Sequence, residues 1–236
     1  MKKLLYLVVV FAAVSCSNEL TMNRKTFNLN GDVKLITETR SEGVYDRNWN
    51  VYPMINDTTF RAEQETYYFD ENGILTHSEL KDMTGKLISK TEILYTEDGN
   101  FEGSKKFDSH GNLIETCVVK QLSEEELKME TKDASGNTLN SITEKYESGL
   151  LKNKKIKWNN QLKEEESAYS RNEDGNETEI KNIVTNNEHA SKKTVEVTMK
   201  VKNLSTDTYD NWTRRALYNK KNNKCIIIDR KVVYYE

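Results

Sequence analysis

The phrase FDSHGNLI (107–114) places an aromatic and an aspartate ahead of two free positions, then a glycine and an aliphatic pair. It returns as FDENGIL from Phe69 and YTEDGNF from Tyr95. Without the aromatic it returns as KDMTGKL from Lys81 and KDASGNTL from Lys132, and RNEDGNE from Arg171 is a degraded copy. Each copy has the chemistry of a tight hairpin. The aspartate accepts hydrogen bonds from backbone N–H groups two or three residues on. The glycine three positions later supplies the positive φ that closes a type I turn into a bulged hairpin. The turn-forming residues marked in this way are Asp70, Gly73, Asp82, Gly85, Gly99, Asp108, Gly111, Asp133, Gly136 and Gly175, with Gly149 a further marker.

These markers recur about every twelve residues, or at about twice that interval where one is missing. A four-residue turn then leaves about eight residues per repeat, an ordinary strand length. Strands joined in succession by tight turns are antiparallel neighbours, so the repeat predicts a meander. Alternation agrees: in TVEVTMKV (194–201) the valines and Met199 share one face. DVKLITET (32–39) reads as an opening strand and KCIIIDRKVVYY (224–235) as a closing one, with a longer loop around Pro53. Ser123-Glu124-Glu125-Glu126 has the form of a helix capping box. Yet Gly111 and Gly136 lie two periods apart, so a glycine-free turn near Ser123 fits the repeat better.

Polarity limits the architecture. In KNKKIKWNNQLKEEES (152–167) Ile156 and Trp158 share a face with Lys152 and Lys154, and the other face is lysine too. No broad apolar face exists for a thick sandwich core. A transmembrane barrel is excluded as well, because charge on the lipid face costs roughly 2–4 kcal/mol per residue at mid-bilayer. The expected fold is therefore all-β: an antiparallel meander forming a curled single-layer sheet or a soluble open barrel, with a thin apolar stripe inside. The two signs of charge nearly cancel, 35 Lys and Arg against 38 Asp and Glu, which leaves no basic face for nucleic acid.

The chain opens MKKLLYLVVVFAAVSCSNEL: two lysines, then an apolar run too short to cross a bilayer, ending in small residues and Cys16. Ala13-Val14-Ser15-Cys16 resembles the lipobox of bacterial lipoproteins. That resemblance implies cleavage before Cys16, acylation of its sulfur and amino group, and, with Ser17 following, the outer membrane. The implied organisation is a signal peptide over 1–15, a tether over 16–30 and a β domain over 31–236. Cys117 and Cys225, the cysteines that remain, fall about seven strands apart by turn count, roughly 34 Å across a flat sheet, and are predicted to stay thiols.

The repeated phrase resembles the YD repeats of Rhs-type proteins, and more closely short, envelope-anchored YD-repeat-like lipoproteins. The resemblance spans roughly residues 62–236. It includes the terminal TYDNWTRRALYNKKNNKCIIIDRKVVYYE, where Tyr209-Asp210-Asn211-Trp212 lacks the spacer and glycine, so a shortened last turn is expected. The chain has too few repeats to enclose a toxin domain, so the shell function of long Rhs proteins does not carry over.

Candidate sites are few. Asp70, Asn72, Gly73 and Glu79 match part of a calcium loop counted from Tyr68, but Tyr68 would be the first ligand and the flanks alternate like strands. His77, His110 and His189 are scattered, and Glu124–Glu126 and Glu164–Glu166 read as solvated edges because adjacent strand residues face opposite ways. No metal, cofactor or catalytic constellation is expected. The remaining candidates are aromatic: Tyr67, Tyr95, Tyr146, Trp158, Tyr169 and Trp212, either stacked across strands as structure or forming a concave ladder that holds a glycan or a protein partner. The expected function is thus a non-enzymatic, membrane-anchored binding module. The alternative is an envelope assembly factor that adds a partner chain at a sheet edge. Replacing Cys16 with serine is expected to move the protein from the detergent phase to the aqueous phase once the leader is shown to be cleaved; retention in detergent would refute the anchor.

Overall fold

A computed structural model describes residues 21–46, 50–53, 63–123, 125–147, 150–159, 163–172, 177–188, 191–219 and 221–236. Cys16, Gly149, Gly175 and His189 lie outside the described residues. A short 3₁₀ turn (Arg24–Phe27) precedes β1 (Val33–Tyr45), β2 (Val51–Pro53), β3 (Glu63–Phe69), β4 (Leu75–Asp82), β5 (Leu87–Tyr95), β6 (Phe101–Asp108) and β7 (Leu113–Leu122). There follow β8 (Glu126–Asp133), β9 (Thr138–Glu147), β10 (Leu150–Trp158), β11 (Lys163–Arg171), β12 (Glu177–Glu188), β13 (Ser191–Thr206), β14 (Trp212–Asn219) and β15 (Lys224–Tyr234).

The turn chemistry repeats closely. At the turns opened by Asp70, Asp82, Asp108 and Asp133, the aspartate carbonyl accepts from the glycine N–H at 2.9, 2.9, 3.1 and 3.0 Å. The Oδ1 of each accepts from the N–H four residues on, at 2.8, 3.0, 2.9 and 2.9 Å. Gly73, Gly85, Gly99, Gly111 and Gly136 hold φ between +80° and +86°. Thr96 stands in for the aspartate ahead of Gly99, its Oγ1 accepting from the N–H of Asn100 at 3.2 Å. The turn after β13 is not shortened. Its frame opens at Asp207, which accepts from the N–H of Asp210 and Asn211, and Asp210 takes the glycine position at φ +62°. Aspartate is one of the few residues that tolerates this conformation. At Ser123 the chain makes a turn: its Oγ accepts from the N–H of Glu126, where β8 begins.

Of the two expected forms the meander is the barrel, and it is closed rather than open. β15 pairs with β1 from Val33↔Tyr234 to Val44↔Lys224, and β1 pairs on its other side with β3. Of the fifteen strands, fourteen complete the ring, and β2 is an extra strand bonded to the far end of β1. The reason is length: β1 and β15 are long enough, and matched in alternation, to satisfy each other's edge groups. Cys117 on β7 faces the lumen and Cys225 on β15 faces outward, and both are free thiols.

Alternation sets an inside and an outside. The outer wall carries charge around the ring, much of it in cross-strand pairs such as Lys155–Glu164, Lys181–Glu196 and Arg214–Asp229 at 3.2, 3.2 and 3.0 Å. Such a wall cannot face acyl chains. A small second core lies outside the ring, where Tyr45 of β1 and Val51 of β2 cover Ala216, Tyr218, Cys225 and Ile227.

Residues 21–30 do not behave as a tether. Met22, Phe27 and Leu29 are buried, and the segment lies across one end of the barrel. It is fastened to the β5–β6 turn by Thr21, to the β3–β4 turn by Arg24 and to the β13–β14 turn by Asn30. Phe27 packs on Tyr67 and Phe69 at 5.0 and 5.4 Å between ring centroids. The reason is burial: three apolar side chains leave water, each worth roughly 1.5–3 kcal/mol.

Two glycines separate conformational cost from steric cost. Around Gly111 a Cβ would meet open space, so Gly111→Ala is expected to cost about 1 kcal/mol through its positive φ alone. At Gly103 a Cβ would run into the Cys117 backbone carbonyl of the neighbouring strand, so Gly103→Ala is expected to cost distinctly more. Urea midpoints measure both, and equal losses would contradict the packing described.

Candidate functional site in the barrel lumen

The lumen has two unlike halves. Between β3 and β11 it holds a cavity of about 320 Å³, running from the N-terminal cap toward the opposite end. Met22, Phe27, Leu75 and Phe101 form its floor, and Ile93, Met129, Ile142 and Ile156 line its middle. Across β6–β10 a row of register partners turns polar groups inward: Ser104, Cys117, Thr131, Asn140 and Trp158. At the end away from the cap, half-buried Lys106, Glu115, Leu139 and Trp158 form the mouth.

The charged groups on this wall are internally matched. Lys154 and Glu144, 7% and 0% exposed, pair at 2.8 Å, Lys163 contacts Glu165, and Lys106 lies 3.7 Å from Glu115. Losing one partner of a pair buried like the first costs about 3–5 kcal/mol. Burial pushes the Glu65 carboxyl above its ordinary range, against a hydrogen bond from Tyr67 and the charges of Arg40 and Lys106. Burial also raises the Cys117 thiol, which is the wrong direction for a nucleophile. Among the buried polar atoms of this wall, Asn140 Oδ1 and Trp158 Nε1 make no hydrogen bond. Each such atom costs about 1–3 kcal/mol. Among the described residues, no group of three or more His, Cys, Asp or Glu is placed to hold a metal.

The other half is filled. Trp212 lies between two guanidinium groups, with Arg230 3.5 Å and Arg215 4.3 Å from its ring centroid. Arg230 donates to Glu38 at 2.6 and 3.0 Å, and Arg215 donates to Asn203 and Glu177 at 2.9 and 3.3 Å. Desolvation lowers Arg215 to about 10, and it stays charged at neutral pH. Glu38 also sits in a site whose burial would raise it, but Arg230, Arg40 and Arg215 together hold it below its ordinary value.

The aromatic candidates divide by location. Tyr67, Trp158 and Tyr169 line the cavity together. Tyr95 instead ties the cap, donating to the carbonyls of Met22 and Leu75 at 3.0 and 2.7 Å. Tyr146 donates to Glu144, and Trp212 belongs to the arginine cluster. The six do not form one continuous concave ladder, because half of them are engaged in the cap, with Glu144 or in the arginine cluster. The calcium-loop stretch is a hairpin, with the Tyr68 hydroxyl donating to Glu79 on the outer wall. Sequence reading missed Asn140, Lys154 and Glu65. The available signal was their position on the inward alternation of their strands, in phase with Ile142, Ile156 and Tyr67.

No protein-family model matches the chain, and no curated protein matches it. Among solved structures, a porin-like protein from Bacteroides uniformis is 8% identical, with a TM-score of 0.41, over 87% of this chain and 98% of that one. A chain of a TcdB2-TccC3-Cdc42 complex is 11% identical, with a TM-score of 0.29, over 83% of this chain and 12% of that one.

Glu65 gives a pH test. Below the ordinary carboxyl range both folded and unfolded chains hold the proton, and burial of Glu65 carries no ionic penalty. Above its raised value the folded chain must keep a carboxylate out of water, so stability falls as pH rises through that window. Glu65→Gln is therefore expected to raise the urea midpoint at pH 8 and leave it unchanged near pH 4. A lower midpoint at pH 8 would mean that the ionised carboxylate is stabilised by Arg40.

Proposed function

We propose that this protein is a non-enzymatic binding module of the bacterial outer membrane, anchored through Cys16, that takes a small molecule into its barrel lumen. The observation that carries the reading is the cavity of about 320 Å³, with an apolar floor and middle, lined toward its mouth by Asn140 and Trp158, whose buried Oδ1 and Nε1 make no hydrogen bond. Binding sites for small molecules are concave, mostly apolar, and fixed by a few convergent polar groups. The Cys117 thiol, raised by burial, is shifted away from a nucleophile's range.

The envelope setting rests on the lipobox-like stretch and on the YD-type repeat, with its kinship to envelope-anchored lipoproteins. It also orients the barrel. Five residue steps lead from Cys16 to Thr21, which sits on the capped rim. At about 3.5 Å per residue they reach roughly 18 Å at most, so an anchor at Cys16 turns the cap toward the membrane and the mouth away from it. A glycan or protein clasped along a continuous concave ladder is less favoured, because of the six aromatics only Tyr67, Trp158 and Tyr169 line the cavity together. Edge addition of a partner chain is left with only β2, three residues ending at Pro53, as a described strand paired on one side alone.

Naphthalene, an apolar probe of about ten non-hydrogen atoms, fits the cavity at roughly 30 Å³ per water-sized unit. Its fluorescence is expected to respond to the parent protein and to be lost with Thr131→Trp or Ser104→Phe, each of which fills the lumen. Circular dichroism confirms that the variants remain β. Undiminished binding by both variants would place the site elsewhere and overturn the reading.

A further inference from the structure

We infer that, on the lumenal reading above, the ligand is an uncharged amphiphile of about ten non-hydrogen atoms, its hydroxyl or amide head between Asn140 and Trp158 and its hydrocarbon end on Met22 and Phe27. Size comes first. A cavity of about 320 Å³ holds about ten water-sized groups at roughly 30 Å³ each.

Polarity is graded along the cavity. The floor against the cap is formed by Met22, Phe27, Leu75 and Phe101, and Asn140 and Trp158 lie toward the mouth. Asn140 and Trp158 are cross-strand register partners on β9 and β10. Asn140, only 7% exposed, presents an acceptor without a donor, and Trp158 presents a donor without an acceptor. One hydroxyl or amide, which both donates and accepts, completes the two together. Tyr169 lies apart from this head, six residues along β11 from Lys163, the register partner of Trp158.

Charge argues against an ionised head. Lys106, Lys154 and Lys163 each already have a carboxylate, in Glu115, Glu144 and Glu165. The guanidinium groups of Arg215 and Arg230 are turned to Trp212, Glu38 and Glu177, and neither residue lines the cavity. A buried anion would therefore enter without a counter-charge of its own. The raised Glu65 carboxyl, at the cavity wall, reports the same environment. A sugar without a hydrocarbon part fits poorly too, because its hydroxyls would face Ile93, Met129 and Leu75 unpartnered.

The test uses three probes of similar size: 1,2-octanediol, octanoate and glucose. They are titrated calorimetrically at pH 7.5 into the full chain carrying Cys16→Ser, without detergent. The diol is expected to bind with one site, octanoate at least tenfold more weakly, and glucose not measurably. Asn140→Leu is expected to weaken the diol at least tenfold, and Trp158→Phe, which removes only the indole donor, to weaken it severalfold. Octanoate or glucose binding as tightly as the diol would overturn the ligand class, as would two variants with parental affinity. If naphthalene binds while the diol does not, the class is wrong and the lumenal site stands. If the Thr131→Trp protein binds the diol as well as the parent does, the lumenal site itself fails.

Discussion

Everything inside this barrel depends on the pairing between its first and last long strands. β1 and β15 match at eleven positions, from Val33↔Tyr234 to Val44↔Lys224. Without that seam the meander has two exposed edges and a face that is half charged, with nothing to cover it. With the seam, every interior strand is paired on both sides, and one face of the sheet becomes a lumen. The same seam joins Glu38 of β1 to Arg230 of β15, so the closing strands also bring the buried ion pair together.

Closure changes what polar residues can do. A flat sheet with this little apolar surface could not desolvate lysine or glutamate, yet Lys154, Lys163, Glu38 and Glu144 are all buried. They are tolerated because opposite charge lies beside them, from a neighbouring strand as Glu144 of β9 does for Lys154 of β10, or from the same strand as Glu165 does for Lys163. The arginine–tryptophan cluster fills the β12–β1 side, and the cap closes one end with Met22 and Phe27. The cavity of about 320 Å³ lies on the β3–β11 side. It follows from an uneven filling of the ring.

The strand succession was legible because it is written locally. Asp108 and Gly111 specify their turn without reference to any distant residue, and the alternation of Val195, Val197, Met199 and Val201 orients β13 in the same way. Closure was not legible, because no residue of DVKLITET names its partner in KCIIIDRKVVYY across nearly the whole chain. The last turn was misread for a related reason: Asp210 carries the YD signature but occupies the glycine position, while Asp207 supplies the cap. The aromatic candidates were found, but pattern gives the face of a strand and not which side chains meet across a closed sheet: of the six, Tyr67, Trp158 and Tyr169 line the cavity. Asn140 and Glu65 were passed over because a polar residue on an inward position looks, in sequence, like a break in the apolar stripe.

Closure is tested most directly by a distance between β1 and β15. Spin labels at Thr39 and Asp229, register partners whose side chains face outward, report it in a chain whose native cysteines are replaced. The barrel predicts a separation under about 20 Å, set by adjacent strands about 4.8 Å apart plus the label arms. In an open sheet of the same strands the two sites lie thirteen spacings apart, roughly 60 Å, and a distance in that range would contradict the account.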